Sequence, residues 1–340
     1  MPENITFRTQ LIGGVTEFCQ ESNLPFLSNA IHLVELIVRL AHYREEGVSL
    51  FPKVYLTNDK NTLMAMLPGG EILKIGGGAP DINGIENALK KCAPLATNGW
   101  MVYIEASTSH LEYGLFKGPG NPISVVVDDV LMTESAGLFV VKTSQVADDC
   151  VEIQSNSGGR HFIFLNHRKE NSPPPLQYIS QLIESITKEV PEEVKEPTLS
   201  FLSRLFINAL RESHGCIIAV TNMKRPPKYL SSDGVILENP IDFADLVINF
   251  KKERIEASHL ESKGHLLKGM LNSDGIILFD NKGRLLGYNC FIKLTQSTKV
   301  IGGARKRAYS GIKSKVGRGL AAVFMQSQDG WTDFKGINNE

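Results

Sequence analysis

The stretch Lys299-Val300-Ile301-Gly302-Gly303-Ala304-Arg305-Lys306-Arg307-Ala308-Tyr309 concentrates residue types that bind anions. Two glycines leading into a helix let backbone N–H groups approach a negative ligand, and the helix dipole favours negative charge there. Arginines two apart on a loop or first turn can clamp phosphate oxygens bidentately. From Lys299 to Arg318 there are seven basic residues and no acidic one, so nothing in the stretch neutralises them. A solvated basic helix face would have the same composition. A second feature narrows the choice. Ser273-Asp274-Gly275-Ile276 sets a carboxylate at the mouth of an apolar strand. Such a carboxylate can hold Mg²⁺ or Mn²⁺ against phosphates, although Asp-Gly before a strand also makes an ordinary turn. An anion cradle and a metal-ready carboxylate in one domain are the minimum parts of a nucleotide site.

The elements that must position these residues are legible around them. Phe201, Leu202, Leu205, Phe206, Ala209 and Leu210 form one apolar stripe, which predicts a core-facing helix. Residues 216–220 are a continuous apolar run of strand length. A helix near 259–270 precedes a strand at 275–279, a turn at Asp280-Asn281-Lys282-Gly283 and a strand through 286–292. A helix over 304–313, a strand at 320–324 and a turn at Gln328-Asp329-Gly330 complete a mixed sheet between helices.

These residues carry a family resemblance. From about Phe201 to Gly330 the chain resembles the DisA-type diadenylate cyclase domain, which joins two ATP molecules into cyclic di-AMP. The family's Asp-Gly-Ala motif corresponds to Asp274-Gly275-Ile276. Its Gly-Thr-Arg-His-Arg-Ala motif corresponds to Gly303-Ala304-Arg305-Lys306-Arg307-Ala308. The early apolar strand is matched by His214 to Val220, and the late Val-Ser-Glu-Glu-x-Gly by Gln326-Ser327-Gln328-Asp329-Gly330. The resemblance implies that Asp274 holds the metal and, in an active enzyme, is catalytic. It implies nucleotide or phosphate contacts from Gly275, Gly303, Arg305, Lys306, Arg307 and Ser327. Three positions depart from the pattern. Lys306 replaces a histidine and loses a planar, titratable ring; Ala304 replaces a threonine and loses a hydroxyl; Gln328 replaces a glutamate and loses a charge. Two functions are therefore expected as alternatives: a sensor of adenine nucleotide or cyclic dinucleotide with an eroded catalytic motif, or an active cyclase. In the family two domains face each other, so the cyclase requires a homodimer or higher oligomer. A cyclase-like domain that binds nothing is the third reading.

The fold class expected is α/β in two domains: an N-terminal α+β region over 1–170, a linker with one helix over 171–198, and the nucleotide-binding domain over 199–340. The linker is read from Ser172-Pro173-Pro174-Pro175 and the acidic, proline-bearing Glu189 to Pro197, which flank a helix with Ile179, Leu182, Ile183 and Ile186 on one face. In the first region an amphipathic helix is predicted over 28–43, strands at 51–56, 62–67 and 72–75, and a helix over 82–92. Strands then follow at 101–105, 111–116, 124–127, 138–142, 150–154 and 161–165. Gly76-Gly77-Gly78 is read as a tight turn in preference to a phosphate cradle, because it lacks the Lys-Ser/Thr of a P-loop. Tyr43-Arg44-Glu45-Glu46-Gly47, between that first helix and Phe51-Pro52-Lys53-Val54, resembles the front half of proteins with a DACNV-type sensor module. The resemblance implies nucleotide sensing.

Composition limits the rest. The 340 residues carry 36 Lys plus Arg against 37 Asp plus Glu, and this balance disfavours a general nucleic-acid binder. The five cysteines are scattered without C-x-x-C, so neither a disulfide framework nor a zinc ribbon is expected. The histidines show no metal-ligand spacing, and no serine sits in G-x-S-x-G. No run free of charge exceeds about 13 residues, short of the roughly 20 that span a bilayer. With no leader pattern at the start, a cytoplasmic protein is expected that makes no membrane contact.

Overall fold

The computed structural model describes residues 7–24, 30–122, 127–147, 149–165, 175–213, 215–223, 225–231, 233–292, 303–327 and 332–337. They form two compact units, each a mixed β-sheet flanked by helices. Among them no helix is long and apolar enough to cross a membrane.

The first unit runs α1 (Phe7–Glu21), α2 (Ala30–Leu40), β1 (Arg44–Glu45), β2 (Val48–Ser49), β3 (Lys53–Thr57), α3 (Lys60–Ala65), β4 (Glu71–Gly78) and α4 (Ile82–Cys92). It continues with β5 (Trp100–Ala106), β6 (Leu111–Lys117), α5 (Val127–Leu131), β7 (Val140–Ala147), β8 (Cys150–Ser155) and β9 (Arg160–Phe164). Seven strands form one sheet in the order β4-β6-β5-β3-β7-β8-β9. Side chains alternate across a strand. Val54, Val102, Ile104, Leu115, Val141 and Ile153 therefore pack on one face, against α1, α2 and α4. Tyr55, Tyr103, Phe116 and Val140 pack on the other with Leu63, Leu67 and Leu131.

Two expectations for this unit are corrected. Residues 62–67, predicted as a strand, lie mostly in helix α3. The Asp59 side chain caps it by accepting from the Asn61 and Thr62 backbone N–H groups, and Leu63 and Leu67, four apart, face the core. The turn expected at Gly76-Gly77-Gly78 is the end of strand β4. A β-carbon on Gly76 would stand 2.7 Å from the Tyr113 hydroxyl, and one on Gly77 would stand 2.9 Å from the Leu111 carbonyl oxygen. The glycines thus permit close packing against β6. The strand expected at 124–127 falls largely outside the described residues, and Val127 begins α5.

The second unit runs α6 (Pro175–Ile186), α7 (Glu192–Glu212), β10 (Cys216–Thr221), α8 (Lys228–Ser231), β11 (Val235–Asp242), α9 (Phe243–Lys251) and α10 (Ala257–Leu271). Then follow β12 (Ile276–Asp280), β13 (Arg284–Cys290), α11 (Ala304–Lys313), β14 (Leu320–Gln326) and β15 (Thr332–Gly336). The sheet order is β11-β13-β12-β10-β14-β15. Ile218, Val220, Ile277, Phe279 and Phe324 face a core shared with α6, α7, α9 and α10. Ile217, Ala219, Ile276, Leu278 and Val323 face Leu230 of α8 and Tyr309 and Ile312 of α11.

The segment read as a linker belongs to this unit. Ile179, Leu182, Ile183, Ile186, Val190 and Val194 are buried in its core. Proline misled because Pro191 only caps α7, and Pro197 is tolerated inside it. The Glu193 carbonyl, which Pro197 leaves without its helical donor, faces the Lys251 ammonium at 3.4 Å. The opening Ser172-Pro173-Pro174 lies outside the described residues, as does the turn expected at Gln328-Asp329-Gly330.

Candidate functional site

Register places the ends of four strands at one edge of the second sheet. β10 and β12 are parallel neighbours with Ile217 opposite Ile276. β14 runs against β10 with Gln326 opposite Cys216, and β13 against β12 with Cys290 opposite Ile276. The starts of β10 and β12 and the ends of β13 and β14 thus lie together. Gly275 and Asp274 stand one and two residues before Ile276, as Cys216 and Gly215 stand before Ile217. Ser327 follows the last residue of β14.

Both parallel strands are entered through a glycine in the left-handed region, Gly215 at φ +89° and Gly275 at φ +92°. Both are also crowded. A β-carbon on Gly215 would stand 2.5 Å from the Gln326 carbonyl oxygen, 2.7 Å from the Ser327 carbonyl carbon and 2.9 Å from Nη1 of Arg305. One on Gly275 would stand 2.8 Å from Cα of Asn289 and 3.0 Å from the Cys290 carbonyl oxygen. The backbone therefore packs tightly along the edge, which fixes where Asp274 emerges.

Helix α11 brings the cations. Tyr309 and Ile312 anchor it to the sheet, and Lys313 binds Asp333 of β15 at 2.7 Å. Gly303 caps its start in an extended conformation, and a β-carbon there would meet nothing within 4 Å among the described residues. Arg305 is half-buried and turns its guanidinium onto Gly215. Burial pushes the neighbouring Cys216 thiol up to about 12, and the Arg305 charge opposes that shift. Lys306 and Arg307 are exposed. In a helix, residues two apart lie about 200° around the axis. Arg305 and Arg307, expected to clamp phosphate together from a loop or first turn, point apart on the first turn: one faces the sheet edge, the other solvent.

Arg305 and Ser327 therefore meet at Gly215, Asp274 and Gly275 stand at the start of the neighbouring strand, and Lys306 and Arg307 are exposed. Lys299 to Gly302 and Gln328 to Gly330 lie outside the described residues, as does His214. The Gln326 side chain donates to the Leu210 carbonyl at 2.8 Å and ties β14 to α7. No cluster of three or more His, Cys, Asp or Glu forms among the described residues. Asp274 is exposed, and its carboxylate makes no hydrogen bond or ion pair among the described residues. A single carboxylate fits a Mg²⁺ or Mn²⁺ ion that arrives on phosphates and keeps its waters, not a resident ion held by protein alone.

Sequence reasoning passed over Asp233. Its backbone carbonyl accepts from the Phe291 N–H at 3.1 Å, and a β-carbon on Gly234 would stand 2.7 Å from Cα of Cys290. Asp233 therefore stands at the same edge, on the far side of β13 from Asp274. The signal was available: Asp233-Gly234-Val235-Ile236-Leu237 repeats the pattern of Asp274-Gly275-Ile276-Ile277-Leu278.

The first unit carries charges that sequence reasoning also missed. Asp128 accepts from Lys53 at 3.0 Å, Lys142 at 3.2 Å and the Tyr55 hydroxyl. Lys142 also binds Glu152 at 2.9 Å, and Glu152 binds Arg160 at 2.6 Å. Burial alone would raise the Asp128 carboxyl, but Lys53 and Lys142 outweigh it and hold it well below the usual carboxylate range. Burial and the Asp128 charge together push the Tyr55 hydroxyl up. Every charge in this row is paired, so we read it as structural, fastening α5 to the sheet.

No family model matches the chain, and no curated protein matches it.

Proposed function

We propose that the C-terminal unit binds an adenine nucleotide or cyclic dinucleotide and that the chain acts as a sensor of its occupancy. The resemblance of Asp274-Gly275 and of Gly303 to Ala308 to the diadenylate cyclase motifs supplies the ligand class. One observation carries the reading: Arg305 turns its guanidinium onto the edge where Asp274 and Gly275 emerge. There Gly303 and the start of α11 offer backbone N–H groups to phosphate, Arg305 supplies the cation, and Asp274 holds a divalent ion carried by the ligand. The ion would supply charge neutralisation between phosphate oxygens. Ala304 and Lys306 lack the hydroxyl and imidazole of the cyclase motif, which favours binding over turnover. Thermal-shift titration with ATP, cyclic di-AMP and other cyclic dinucleotides tests the proposal. A concentration-dependent rise in Tm is expected with at least one; no shift with any of them removes it.

A second reading is an active diadenylate cyclase, favoured by the exposed carboxylate of Asp274. Each ATP 3′-oxygen would lose its proton and bond to the other ATP's α-phosphorus. The α–β phosphoanhydride would break and two pyrophosphates would leave. One site cannot close the ring, so two copies must face each other. Incubation with ATP and Mn²⁺ decides: cyclic di-AMP that disappears in Asp274→Asn establishes the enzyme, and no product leaves the sensor.

A further inference from the structure

We propose that the outer edge of β4 is a dimerisation surface, on which a second copy of this chain pairs antiparallel through the segment Glu71 to Lys74. The proposal concerns the first unit alone and does not rest on the nucleotide reading.

An edge strand leaves one side of its backbone without a strand partner, and folds guard such edges with charge, proline, bulges or a covering helix. The two large sheets have four edges, β4 and β9 in the first and β11 and β15 in the second. Three are guarded. On β9, Arg160 binds Glu152 and His161 binds Glu21 of α1 at 2.9 Å, and the His161 ring packs edge-on against Phe18. β11 contains Pro240, and its register breaks between Ile236 and Ile241. β15 has five residues, of which Asp333 binds Lys313, and Tyr178 of α6 stacks on its Phe334.

The first half of β4 is less protected. The strand has eight residues and no proline, and among the described residues no strand pairs with its outer side. Glu71 to Lys74 are all exposed, Ile72 by 43% and Leu73 by 49%. These four residues pair in unbroken register with Lys117 to Gly114 of β6, and the register shifts only after Lys74. Two apolar side chains, one on each face of the sheet, therefore meet water along a regular stretch of edge.

Charge selects the register in which a second copy fits. Two copies pair about a two-fold axis perpendicular to the sheet, which keeps every side chain on its own face. The axis then passes at one residue, which stands opposite its own copy. An axis at Glu71 would set two carboxylates opposite each other, and an axis at Lys74 two ammonium groups; like charges in that position destabilise. An axis at Ile72 or Leu73 makes neither clash. At Leu73, the two leucines meet on one face and each Ile72 lies opposite the Lys74 stem on the other. At Ile72, the two isoleucines meet and each Leu73 lies opposite Glu71. In both, Ile72 and Leu73 leave water and the charges stay at the rim.

Sedimentation velocity and cysteine cross-linking of the full chain test this. Wild type should sediment as a dimer or a multiple of one. Ile72→Lys/Leu73→Lys, which sets like charges at the axis, should have half the wild-type mass and an unchanged circular dichroism spectrum. The five native cysteines are buried, so a disulfide reports an introduced thiol. Under mild oxidation Ile72→Cys or Leu73→Cys should give a disulfide-linked dimer, and Glu71→Cys and Lys74→Cys should not. A monomeric wild type would overturn the proposal. So would association that survives the double lysine variant, as dimerisation through the second unit alone would, or cross-linking at Glu71 or Lys74 as efficient as at Ile72 and Leu73.

Discussion

Nη1 of Arg305 lies 2.9 Å from the point where a β-carbon on Gly215 would stand. The missing side chain on Gly215 thus makes the space in which the guanidinium reaches the start of β10. The carboxylate of Asp274 emerges at the start of β12, the next strand. A cation and a helix start on one side, and a metal-ready carboxylate on the other, make this edge the place to test.

Gly215→Ala should disturb that edge in two ways. An L-side chain at φ +89° is strained, and its β-carbon would overlap the Gln326 and Ser327 backbone. A loss of roughly 2–4 kcal/mol is expected from urea denaturation, together with weakened nucleotide binding as Arg305 is displaced. Gly303→Ala is the control. Its φ of −63° is ordinary and the space is open, so it should cost under about 1 kcal/mol. Equal losses in the two variants would contradict the packing described.

Acid should loosen the first unit through Glu112. Burial would raise this carboxyl, but bonds from Lys60, Lys74 at 2.6 Å and Tyr103 at 3.0 Å outweigh it and hold it at about 2, below its ordinary 4.5. A carboxyl depressed by folding stabilises fully above its unfolded value, and that stability is lost as pH falls through the folded one. The denaturation midpoint followed by Trp100 fluorescence, in a Trp331→Phe background, should therefore fall between about pH 5 and pH 2. Glu112→Gln should flatten that limb. A variant with the wild-type pH dependence would show that Glu112 does not carry it.

Much of the second unit was legible because its signals are local. The apolar run Cys216 to Val220, the stripe of Phe201 to Leu210 and the glycine-led start of α11 each declare themselves within ten residues. What stayed hidden depends on distant partners. Pro197 reads as a helix breaker until Lys251 is seen beside the Glu193 carbonyl. Gly76 to Gly78 read as a turn until the Tyr113 ring is seen against Gly76 and the Leu111 carbonyl against Gly77. Arg305 and Arg307 look equivalent in sequence, and only the helix phase separates them. Asp233 was within reach, since its pentapeptide echoes the one at Asp274, but nothing local says that both strands border β13.

Asp128→Ala should destabilise the first unit by about 3 kcal/mol, because it leaves Lys53 and the 6%-exposed Lys142 without one of their counter-charges. Chemical denaturation read by the same tryptophan signal measures it. A loss under about 1 kcal/mol would mean that the buried row contributes specificity without net stability.

The most direct test of the account is calorimetric titration of wild type, Arg305→Ala and Arg307→Ala with whichever of ATP or cyclic di-AMP binds. Arg305 faces the edge and Arg307 faces solvent. The expected result is that Arg305→Ala weakens binding by about tenfold or more and Arg307→Ala by clearly less. Undiminished binding by Arg305→Ala, or no binding by wild type, would contradict it.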